Sequence, residues 1–217
     1  MLTIFRMVAM VTLCILSLSV FADYSVIDTS EESSEGIHEL VKELSGIQND
    51  GLKTWEKGNH ILSLLEEGDQ EISEYDYLWT FYALIVNTNA EKNPDISVED
   101  FLEIADVALE YLSYSTGEWV YTDIGQFRIE VHTQAANAAA WLLRKTQPKS
   151  ALAYADRALE YSGELYVLDT KVRILINLNE IDEAYTIVKD VLAEYPDFGD
   201  FQDFSSNPEY LEWLKSN

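Results

Sequence analysis

The side chains with chemical capacity in this 217-residue sequence are 39 carboxylates, three histidines and one cysteine, and few of them are spaced for a reaction. His38, His60 and His132 lie far apart, and His38-Glu39 has no second histidine one helical turn on, as a zinc-holding helix requires. Asn87, Asn89, Glu91, Asn93 and Asp95 alternate oxygens as calcium loops do, but the central Gly is missing and the closing position holds Val98, with Glu99 one residue late. Asp197-Phe198-Gly199 matches a magnesium-holding triplet of phosphoryl transfer, without the Gly-rich and catalytic loops that make it work. No nucleophile elbow occurs, and with so many carboxylates an acid pair carries no information. The expectation is a protein without catalytic residues, bound metal or cofactor, one that acts by contact.

Charge narrows the partners of such contacts. Lys and Arg number 14, so the formal net charge is −25. A field of that sign repels phosphate backbones and anionic lipid, which excludes ordinary nucleic-acid binding. A composition 47% hydrophobic and 12% aromatic is that of a folded chain.

The elements that must position any contact surface begin after residue 22. Met1–Arg6 is short and basic, Met7–Ala22 is apolar, and Val20 and Ala22 are small, which together describe a secretory signal peptide cleaved after Ala22. Removing it takes the charge from −25 to −26 and removes Cys14, the only cysteine. The mature chain then has no disulfide, no stable membrane insertion, and a periplasmic or secreted location. Residues 23–35 are acidic and Ser-rich and read as a disordered leader, and 36–217 as one all-α domain.

Within that domain Phe101–Tyr111 (FLEIADVALEY) and Ala151–Tyr161 (ALAYADRALEY) share seven of eleven residues, and Ala184–Glu194 is a more diverged third copy. An apolar helix precedes each. The repeated unit is therefore a helical hairpin, with units at about 74–112, 132–163 and 165–198. Ala151, Ala155 and Ala158 allow close helix approach. Asn207-Pro208 starts a short closing helix over 207–215, which covers the last apolar face.

Ala139, Leu142, Ala151, Ala155, Ala158 and Gly163 in one unit, and Leu168, Asn179, Ala184 and Pro196 in the next, give a pattern that resembles the tetratricopeptide repeat family. Val172 and Lys171 depart from it. The resemblance implies a right-handed α-solenoid of antiparallel helix pairs whose first helices line a concave groove. By that implication Asn137, Arg144, Tyr166, Asp169, Arg173 and Asn177 face a protein or peptide partner.

A second candidate surface is the segment Ser113–Gln126, which interrupts the repeat spacing and holds Trp119 and Tyr121 between glycines. These aromatics either meet a partner or fold back into the gap between repeats. The resulting expectation is an exported scaffold or adaptor that binds a protein or peptide of the cell envelope. The alternative is an acidic immunity protein that neutralises a basic toxin or hydrolase.

Overall fold

The computed structural model describes residues 32–47, 50–67, 73–88, 91, 93–113 and 123–217. Among them the chain is helical throughout, with no strand. The helices are α1 (Glu32–Gly46), α2 (Gly51–Glu67), α3 (Glu74–Tyr82), α4 (Val98–Ser113), α5 (Asp123–Leu143), α6 (Pro148–Leu159), α7 (Leu165–Asn177), α8 (Ile181–Glu194), α9 (Gly199–Ser205) and α10 (Pro208–Ser216). A π-helical turn, Ala83–Asn87, continues α3.

Helix starts fall where short polar side chains can accept from orphan backbone N–H groups. Ser73 Oγ accepts from the Asp76 N–H at 3.1 Å, and Ser97 Oγ from that of Asp100 at 3.0 Å. Asn207 Oδ1 accepts from Glu209 and Tyr210, ahead of Pro208 at the first helical position. The α7–α8 turn closes on Asn179 at φ 64°. There the Asn179 N–H reaches the Ile176 carbonyl and the Glu180 N–H the Leu175 carbonyl, the paired bonds of a Schellman stop.

Three layers of side chains hold the helices. Ile37, Val41 and Leu44 of α1 bury against Ile61 of α2 and Trp79 and Ala83 of the third helix. Leu78, Phe81 and Ile85 meet Phe101, Ala105, Ala108, Leu109 and Leu112 of α4, and Val131, Ala135 and Ala139 of α5. Ala140, Ala151 and Ala155 form a close seam over Ile174. From α4 to α8 each helix packs chiefly on its sequence neighbours. A separate cluster of Val172, Tyr185, Val188, Phe201, Phe204 and Tyr210 joins α7 and α8 to the end of the chain.

Three boundaries differ from the sequence expectation. Helix α1 starts at Glu32, inside the stretch read as a leader, because once the buried Ile37–Leu44 stripe nucleates a helix, further turns add cheaply. Helix α5 starts at Asp123, so Asp123–Gln126 belongs to a helix and the interrupting segment is shorter than Ser113–Gln126. Phe127 explains the extension: its ring lies 5.4 Å from Tyr75, 6.1 Å from Trp79 and 5.7 Å from Tyr82. The closing helix over 207–215 has a companion, α9, which buries Phe201 and Phe204 beside it.

Candidate functional site

Of the residues expected to face a groove, Arg144 and Asp169 are buried, Asn137, Tyr166 and Arg173 half-buried, and Asn177 exposed. Arg144 is 8% exposed and lies just past α5, with its guanidinium 3.6 Å above the Trp141 ring. It donates to Glu91 Oε1 at 3.1 Å, while Trp141 Nε1 donates to Glu91 Oε2 at 2.8 Å. These donors hold the Glu91 carboxyl below its usual range, the Trp141 hydrogen bond contributing most. Asn177 closes the set by donating to the Arg144 carbonyl at 2.9 Å. The oxygen-rich run over residues 87–95 is thus partly spent inside the fold, since Asn93 also donates to the Thr88 carbonyl.

Along α7, Asp169 is buried and accepts from Arg173 Nε at 2.8 Å. Burial raises the Asp169 carboxyl, and Arg173 opposes the rise. Arg173 also covers the Phe204 ring at 5.9 Å. Tyr166 accepts from Gln134 at 3.1 Å. Asn137 is half-buried on α5, with Oδ1 buried and without a hydrogen-bond partner. The structure therefore joins Arg144 to Asn177 and Asp169 to Arg173, both within the helix stack. Trp119 and Tyr121 lie outside the described residues.

Ser73, His38 and Asp76 come together between α1 and α3. Ser73 Oγ donates to Asp76 Oδ2 at 2.8 Å, and His38 Nδ1 lies 3.0 Å from the same oxygen. The carboxylate is central in this set, whereas an activated serine needs the imidazole between hydroxyl and acid. The arrangement is a helix cap with a second donor. Among the described residues no group of three or more His, Cys, Asp or Glu side chains is placed to hold a metal ion. No described helix is long and apolar enough to cross a membrane.

A concave surface lies between α2 and α4, over Tyr77 of α3. It is a groove of about 760 Å³. Trp55 and Leu62 of α2, Tyr77, and Ile104 and Val107 of α4 supply its apolar surface. Helical spacing builds both walls: Trp55, Asn59 and Leu62 are one stripe of α2, and Asp100, Glu103, Ile104 and Val107 one stripe of α4. The adjacent stripe of α2, Thr54, Gly58 and Ile61, is buried in the fold, and the groove stripe beside it is half-buried. Trp55 stacks on Phe101, centroids 6.4 Å apart and planes 15° apart, which fixes the two walls to each other.

Glu56, Asp100 and Glu103 complete the groove, and all three are exposed. None of them has an ion-pair partner among the described residues. The lysines of α2 are engaged with other acids, Lys53 with Asp50 at 2.8 Å and Lys57 with Glu43. Nothing in the sequence pattern alone singled out this surface, because its two walls come from separate helices.

Comparison with protein-family models, with curated proteins and with solved structures returns no match.

Proposed function

We propose that this protein is an exported helical scaffold, built of tetratricopeptide-like hairpins, that binds a polypeptide partner in the cell envelope through the α2–α4 groove. The observation that carries this reading is the groove itself. It is a concave surface with an aromatic and aliphatic floor and polar groups at its sides, the usual make-up of a binding site. Its walls are two helix stripes that each span eight residues, about 10 Å, a length that suits two turns of a docked helix. Val107 lines it and is 41% exposed, which leaves its side chain open to an occupant.

Photo-crosslinking tests the reading. A photoreactive amino acid at Val107 should trap one discrete envelope polypeptide, and the same residue at Leu211, exposed on α10, should not. Equal, diffuse labelling from both positions would count against it.

A second reading is a neutralising inhibitor of a basic secreted protein. The net charge of −25 and the three groove carboxylates without ion pairs favour it. The trapped partner decides between them: an inhibitor abolishes its partner's activity, and a scaffold does not.

A further inference from the structure

Resting on the reading of the α2–α4 groove as a polypeptide site, we infer that its occupant is a basic amphipathic helix, with apolar side chains on the groove floor and Lys or Arg side chains on Glu56, Asp100 and Glu103. Charge complementarity fixes the chemistry. The described residues lining the groove include three carboxylates and no basic side chain, and the nearby lysines of α2 are held by Asp50 and Glu43. A second copy of this chain is excluded as the occupant by its own charge of −25. An acidic or neutral helix would leave the three carboxylates unanswered. A fully polar basic segment would leave Leu62, Ile104 and Val107 in water. Only a helix with both faces satisfies floor and rim together. Its long cationic side chains can lie along the floor and still reach the rim with their charged ends.

The test is calorimetric titration of the full chain with two synthetic helical peptides. Both carry leucine at i, i+3, i+4 and i+7; one has lysine at the positions that flank the leucine stripe on either side and the other has glutamine there. The inference expects the lysine peptide to bind about tenfold more tightly, the worth of three exposed ion pairs. The Glu56→Gln/Asp100→Asn/Glu103→Gln variant should lower the lysine peptide to the glutamine level and leave the glutamine peptide unchanged. Val107→Lys should weaken both. All four positions are exposed, so the thermal midpoint of each variant should match the parent's.

If both peptides bind alike and Val107→Lys weakens both, the inference fails and the groove reading stands. If the lysine peptide binds but neither variant affects it, the attraction is to the overall charge and the inference fails. If neither peptide binds, or Val107→Lys moves neither, the groove reading itself fails.

Discussion

Gly58 of α2 sits so close to Leu84 of the π-helical turn that a methyl group on its Cα would come within 2.6 Å of the leucine Cγ and Cδ2. This contact sets how deeply α2 beds against the third helix, and so where the groove wall stands. Alanine in place of glycine gains about 1 kcal/mol of helix propensity, but overpacking costs about 1–3 kcal/mol. Leu84 is fully buried and has little room to yield. Gly58→Ala should therefore lower stability, by up to about 2 kcal/mol, in urea unfolding. In a Leu84→Ala background the same change should be neutral or stabilising. A stabilising Gly58→Ala in the parent protein would refute the contact.

His132 of α5 is 2% exposed and meets the edge of the Tyr161 ring at 4.9 Å. Burial, aided by the positive charge of Arg157, lowers it to about 4. In the unfolded chain it titrates near its ordinary value of about 6.5. Between those values the unfolded state takes up a proton that the folded state refuses, so stability falls as the pH falls. The loss reaches about 3 kcal/mol by pH 4. Urea midpoints measured across this window should decline less steeply in His132→Leu than in the parent, and parallel slopes would contradict the assignment.

Arg144 and Glu91 share an ion pair but not its cost. The Arg144 side chain is 10% exposed and the Glu91 side chain 50%. Arg144→Met should lower stability by about 1–3 kcal/mol, because the guanidinium's place over the Trp141 ring and its bonds to the Trp141 carbonyl and Glu91 are lost. Glu91→Gln should cost less than about 1 kcal/mol, since the Glu91 side chain is half-exposed and glutamine keeps an oxygen that can accept from Arg144. Thermal unfolding that ranks the two in reverse order would overturn this division.

Asn179 adopts a left-handed conformation that a side chain disfavours. Asn179→Gly should raise the melting midpoint, by about 0.5–1 kcal/mol of stability, and Asn179→Ala should lower it by a similar amount. Equal midpoints for both would mean that the turn does not carry the strain its φ implies.

What the sequence disclosed depended on how local the signal was. Helices with a repeated small-residue pattern, such as α6 with Ala151, Ala155 and Ala158, were legible because one face alone specifies the packing. Asn179 entered only through the repeat resemblance, and its positive φ shows what that position requires of the backbone. The extension of α5 to Asp123 was not, because Phe127 finds its partners, Tyr75, Trp79 and Tyr82, more than forty residues away. Nor was the groove: Trp55 and Asp100 belong to separate helices, and only the third helix beneath them brings their stripes together. The basic residues Arg144 and Arg173 pointed to a site on the repeat face; in the fold Arg144 reaches Glu91 in the connection before α4, and Arg173 pairs with Asp169 of its own helix.

The central claim is that a polypeptide is bound between α2 and α4. Hydrogen exchange of the full chain, with and without the lysine-bearing amphipathic peptide, tests it most directly. Slowed exchange in 55–65 and 98–107, with α5 and α7 unchanged, is the result this account predicts. Protection on α5 and α7 instead would move the binding surface to the repeat face and contradict it.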